Sequence, residues 1–258
     1  MSILVFKIIA FVAILLTGFA GGLLSVRLSA SERSDRFFSL GNAFAGGIFL
    51  GAGLIHMLPD AQEGLGALGS EFPWVMLLCA AGFLLVLVLE KVIIHSHHAV
   101  ADTAELETEP TLYPYILTLV LSVHSVIAGI ALGTEDTIKL SIVIFIALIS
   151  HKGSAAFALG VSLVRAGMQR SRLLKIIALF CFMTPFGIVV GSIASASMTG
   201  HTEHIVEGIF DAIAAGTFLY VAILAIIEEE FAQPTDRWLK FILLTFGLGV
   251  MAVLAIWA

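Results

Sequence analysis

Apolar residues run through this chain in long blocks broken by short polar stretches. Eight blocks are long enough to cross a bilayer on the ~20-residue requirement, at roughly 3–25, 37–58, 73–94, 112–133, 138–164, 173–196, 205–227 and 238–257. The pattern predicts eight transmembrane helices. The first block has Lys7 as its only basic residue ahead of the apolar body. Its apolar run is too long for a secretory leader, so it reads as a retained helix.

Composition agrees with the pattern. Hydrophobic residues make up 59% and charged residues 12%, against about a quarter charged in a soluble domain, and the mean hydropathy is +1.07. The chain therefore reads as an all-α integral membrane protein, one transmembrane domain over 1–258, with the lipid bilayer as a partner. Cys79 and Cys181 both lie in apolar runs and read as small hydrophobes, not as a disulfide framework. The net charge of −6 comes with no basic tract, so no nucleic-acid partner is expected.

The basic residues orient the helices. Arg27, Arg33, Arg36, Lys91, Arg165, Arg170, Arg172, Lys175, Arg237 and Lys240 all fall at one set of helix ends. Lys7 and Lys139 fall at the other. The first set is expected in the cytoplasm of a multi-pass cell-membrane protein, with both termini outside. The one long loop, 95–111, then lies inside. It carries His95, His97 and His98 ahead of Glu105, Glu107 and Glu109. It can bind a soft or borderline metal weakly, or serve as a solvated linker.

Polar groups inside the spans carry the candidate chemistry. His124 lies near the middle of the fourth span, and His151 and Lys152 near the middle of the fifth. A charge at mid-depth costs at least ~2.5–3.5 kcal/mol on insertion scales, so such residues face a bundle interior or a watery path. His56 and Asp60, at i and i+4, share a helix face near the outer end of span two. Asp211 starts span seven near the same end. Glu90 closes span three, and Glu228, Glu229 and Glu230 close span seven, at the inner end. Together they form a series that can lead a cation across, although acids at helix ends are also common without function.

Histidine suits zinc, iron, copper and nickel. A ligand one turn after His124 or His151 would face the same site, but those positions are Ala128 and Ala155. Spacing alone therefore gives no strong metal signature. Neither an HExxH motif nor a GxSxG turn is present, and no paired mid-membrane carboxylates appear, so no enzyme and no cofactor are expected. Gly129 and Gly133 stand at the spacing that lets membrane helices approach closely.

With these residues the chain resembles the ZIP (Zrt/Irt-like) family of divalent metal transporters over essentially its whole length. Span two, from Phe44-Ala45-Gly46-Gly47 to His56-Met57-Leu58-Pro59-Asp60, looks like that family's second helix. His124-Ser125 with Gly129 and Gly133 looks like its fourth, and His151-Lys152-Gly153 like the fifth helix of a branch with a His-Lys pair, in a bacterial-type member. Met183-Thr184-Pro185 looks like the sixth, and Ala214-Ala215-Gly216-Thr217-Phe218 like the seventh.

The resemblance implies eight helices and uptake into the cytoplasm of zinc foremost, with iron, manganese or cadmium as alternatives. It implies a metal site between helices four and five. His124 and His151 are its ligands and Ser125 a neighbouring one. His56, Asp60, Lys152, Thr184, Asp211, Glu90, Glu228 and Glu229 line the path. A second copy of the chain is a candidate partner. Lys152, where two-metal members carry an acid, implies a single ion. Ala128 stands where the family usually has glutamate, and Ala155 and Ala225 stand where many members have an acid. The missing carboxylates leave a second reading open, a membrane protein of this fold that has lost transport and serves as a regulatory or scaffold subunit.

Overall fold

The computed structural model describes residues 2–29, 34–66, 68–94, 113–194 and 201–256. The loop histidines His95, His97 and His98 lie outside the described residues. Eight helices are long and apolar enough to span a membrane: α1 (Ile3–Leu28), α2 (Asp35–Gly66), α3 (Trp74–Val92), α4 (Pro114–Thr134), α5 (Ile138–Arg165), α6 (Arg170–Ala194), α7 (Ile205–Ala232) and α8 (Arg237–Leu254). No strand occurs among the described residues. The all-helical, eight-span architecture is the one that the hydropathy pattern predicts.

Two helices outrun their apolar blocks. α2 continues from the expected end at 58 to Gly66, and α7 from 227 to Ala232. Their polar extensions lie against protein cavities and ion pairs, where hydropathy is no guide. Both helices also contain a wide π-helical turn, Ala52–Met57 in α2 and Val221–Ile227 in α7. In α2 the Leu58 N–H bonds back five residues to the Gly53 carbonyl. Pro59 follows at once and brings no N–H of its own, so the wider turn accommodates the missing donor.

The helices pack in two groups of four. α1, α4, α5 and α6 form one, through the tight pairs α1–α5 and α4–α6. α2, α3, α7 and α8 form the other, through α2–α8 and α3–α7. Glycine brings each pair close. A methyl group on Gly129 would overlap the Thr184 carbonyl, and one on Gly187 the Val126 carbonyl, so α4 and α6 meet backbone to backbone. Gly47 and Gly247 do the same for α2 and α8, Gly82 and Gly216 for α3 and α7, and Gly21 for α1 and α5. Dispersion and close approach drive helix association in lipid, and small residues permit both.

Between the groups, α2 packs on α5 and α4 on α7. α2 and α7 are the most buried spans, while α1, α3 and α8 turn large apolar side chains such as Leu16, Leu84 and Phe246 outward. The functional residues gather where the two groups meet.

Two local features fix the ends. α5 stops at Arg165, where Gly167 takes φ 67° and the Met168 N–H bonds the Leu163 carbonyl at 3.2 Å. Glycine adopts this left-handed conformation without strain. At the opposite end of the bundle, Lys7 Nζ donates to the Gly133 carbonyl at 2.5 Å and satisfies a backbone acceptor in the last turn of α4.

Candidate metal site at the interface of two helix groups

His124 comes from α4 and His151 from α5. Their ring centroids are 5.7 Å apart, and both side chains are buried. His56 approaches from the wide turn of α2 with its centroid 6.4 Å from that of His151. Its Nδ1 lies 2.9 Å from Asp60 Oδ2, one turn further along. Such a carboxylate fixes the ring orientation and leaves the other nitrogen free for a ligand. Neither ring nitrogen of His124 has a hydrogen-bond partner. An unmade hydrogen bond at a buried polar group costs about 1–3 kcal/mol, which a cation bound to an imidazole lone pair would recover.

A cavity of about 440 Å³ leads to these rings from the end of the bundle that carries Glu135. Its walls include His56, Asp60, His124, His151 and Asp211, five residues that the sequence singled out. Ala128 lines it one turn above His124, so the absent carboxylate of the family would have pointed into this space. Three further acids line the cavity: Glu63, Glu135 and Glu207. Their signal is spacing. Glu63 follows His56 and Asp60 at i+7 and i+3, Glu207 precedes Asp211 by four, and Glu135 lies on the stripe His124, Ala128, Ala131. No lysine or arginine is among the lining residues. A cleft walled by one sign of charge concentrates counter-ions.

Aromatic rings close the floor. Phe218 of α7 meets His124 at 4.7 Å and His151 at 6.1 Å, edge to face in both cases, and Phe49 of α2 stacks against Phe218 at 5.1 Å. Phe49 and Phe218 are both essentially inaccessible.

The remaining sequence candidates lie elsewhere. Ser125, Lys152 and Thr184 are buried inside the α1, α4, α5, α6 group and line neither this cavity nor those at the other end. Lys152 Nζ donates to Ser125 Oγ at 3.0 Å and to the Phe180 carbonyl at 3.2 Å, and lies 3.7 Å from the Phe180 ring centroid. The lysine is therefore coupled to the histidine site through Ser125. Glu229 lines a separate cavity at the Arg165 end. Glu90, paired with Lys91 at 2.9 Å, and Glu228 line none of these spaces.

Glu230 has a larger structural role than its place in a glutamate run indicates. It is 2% exposed. Its carboxylate accepts from Ser39 Oγ at 2.5 Å and Asn42 Nδ2 at 3.0 Å, and lies 2.9 Å from Arg165 Nη1. Lys240 Nζ donates to its carbonyl and lies 3.9 Å from its carboxylate.

Fold and site together define a multi-span membrane protein with an acid-lined entrance and a buried nitrogen site for a cation. The family description "ZIP Zinc transporter" matches residues 4–114 and 109–255, and the chain belongs to that family. It is 29% identical over 274 residues to mouse zinc transporter ZIP2, covering 89% of each chain. It is 30% identical over 257 residues to bovine zinc transporter ZIP1, covering 86% of this chain and 79% of that one. To ZIP1 of the pufferfish Takifugu rubripes it is 27% identical over 297 residues, covering 96% and 97%. These relatives are named as transporters, not as enzymes.

Proposed function

We propose that the chain carries divalent metal cations, zinc foremost, from the Glu135 end to the Arg165 end. The observation that carries this is the pair of facing imidazoles at the foot of the acid-lined cavity, with both nitrogens of His124 unpartnered. Imidazole favours zinc and other late dications over manganese or magnesium, which prefer oxygen. The basic residues cluster at the Arg165 end, which makes that end cytoplasmic and the movement an uptake.

His124 and His151 hold the ion, and His56 is within reach as a third nitrogen donor once the rings close around it. Ser125 is occupied as the acceptor of Lys152 and serves as an outer contact. The Lys152 ammonium beside it disfavours a second cation at this level, so a single ion binds here. Ala128 leaves the bound charge less neutralised than a glutamate would. This predicts a weaker site, not a lost one.

The test is zinc uptake into liposomes by the parent and by His124→Ala. Losing one of two nitrogen ligands lowers affinity by at least about tenfold, or ~1.4 kcal/mol, and uptake falls accordingly. Uptake by the parent also separates transport from a scaffold role, because a protein that has lost transport moves no zinc in either form. A folded His124→Ala protein that moves zinc as the parent does would reject the site.

A further inference from the structure

The Arg165 end contains a second cavity, of about 210 Å³, between α2, α4, α5 and α7. Its lining supplies oxygen acceptors from Asn42, Ser162 and Glu229, beside the small side chains Ala158 and Ala225. Asn42 is 6% exposed and its Oδ1 has no donor, although its Nδ2 is spent on Glu230. Ser162 Oγ also lacks a partner. Unpartnered acceptors beside carboxylates are the arrangement that a cation satisfies.

A cation already stands there, on a tether. Arg165, at the end of α5, puts Nη1 2.8 Å from Glu229 Oε1 and 2.9 Å from Glu230 Oε1. Arg165 also lines a third cavity, of about 450 Å³, with Glu230, Asp35 and Asp236. The guanidinium thus stands between the inner cavity and a space beyond it. It belongs to one helix group and both its carboxylate partners to the other, so any relative movement of the groups withdraws it.

We propose that this inner cavity is a second, oxygen-lined site for the transported dication, in which Arg165 is the resident counter-ion while the outer cavity is open. The proposal rests on the transport reading above and adds an exit step. An ion arriving from the histidines exchanges nitrogen donors for amide, hydroxyl and carboxylate oxygens. Zinc-like ions are held less firmly by such a set, so the exit site favours release. Arg165 and the ion compete for Glu229 and Glu230. When the ion leaves, the guanidinium returns and neutralises the acids. This avoids leaving Glu230 as a buried, half-paired charge.

The test is ion counting by calorimetry on the full chain in lipid nanodiscs, titrated with zinc alone. Arg165→Gln should bind one ion more than the parent, about tenfold or more weaker than the histidine-held ion. Adding Asn42→Ala or Glu229→Gln should remove the extra ion and leave the first. Adding His151→Ala should remove the first and leave the extra one, so failure of the histidine site and failure of the exit site read out separately. Should Arg165→Gln not fold, Arg165→Lys keeps the buried positive charge, but its single ammonium cannot bridge both carboxylates as the guanidinium fork does. It too should admit the extra ion. A folded Arg165→Gln or Arg165→Lys protein that binds no more zinc than the parent overturns the proposal.

Discussion

The two ends of the presumed ion path use the same residue types for opposite purposes. At the Glu135 end, Asp60, Glu63, Glu135, Glu207 and Asp211 surround a wide cavity whose lining has no basic side chain. At the Arg165 end, Glu229 and Glu230 are held by Arg165, with Lys240 behind. The first set leaves its field directed into the cavity, where it attracts cations. The second set is neutralised, and its field is confined to the contact. Counting acids therefore says little about where a cation goes. What decides is whether a basic side chain is close enough to screen them.

Phe218 keeps these two environments apart, and removing it should have the largest effect. Phe218→Ala leaves a void under both histidines and costs about 3–5 kcal/mol of stability, the usual range for a buried phenylalanine. It should also join the two cavities. A cysteine placed at Ala225, on the inner side, should then react with a small hydrophilic thiol reagent added at the Glu135 end. With Phe218 present it should stay protected, and reaction in both backgrounds would mean that the ring is no barrier.

Ala128→Glu sharpens the contrast from the other direction, since it puts a carboxylate beside the histidines. Opposite unit charges at ~4 Å gain ~4 kcal/mol at an effective dielectric of about 20, and desolvation of the new acid offsets part of that. Zinc affinity measured by calorimetry should rise at least about tenfold, or ~1.4 kcal/mol. Unchanged affinity in a folded protein would show that this face of α4 does not contribute to the ion site.

The smallest effect belongs to the mouth. Neutralising Glu63 with Glu63→Gln removes one of several attracting charges and should slow zinc uptake about twofold at low salt. The difference should vanish near ~1 M salt, where the Debye length is ~3 Å. A salt-independent loss would place Glu63 in direct contact with the ion.

The architecture was readable from sequence because hydropathy reports solvent, and lipid treats all eight spans alike. His124 and His151 were readable because a polar group at mid-depth is costly enough to need a reason. The pairing of α4 with α6 and of α2 with α8 was not, because glycine spacing marks a close face without naming its partner. Glu230 was missed for a geometric reason. Neighbouring helical residues point about 100° apart, so in a run of three glutamates one faces an ion-pair core while Glu229 faces a cavity. Hydropathy averages over that difference. Glu63 and Glu135 escaped because they lie past the apolar blocks, where a helix end and a cavity wall read the same.

The wide turn Ala52–Met57 has a consequence for how such a chain can change by insertion and deletion. A π turn is a helix that has absorbed one residue without lengthening its ladder. Deleting one residue there would restore ordinary winding and turn the segment from Pro59 to Gly66 by about 100° about the helix axis. Asp60 and Glu63 would swing off the cavity wall together, and His56 would lose the carboxylate that orients it. The number of spans and the hydropathy profile would hardly change. A comparison of such chains by span count would miss the loss, whereas an alignment gap placed in this turn would mark it.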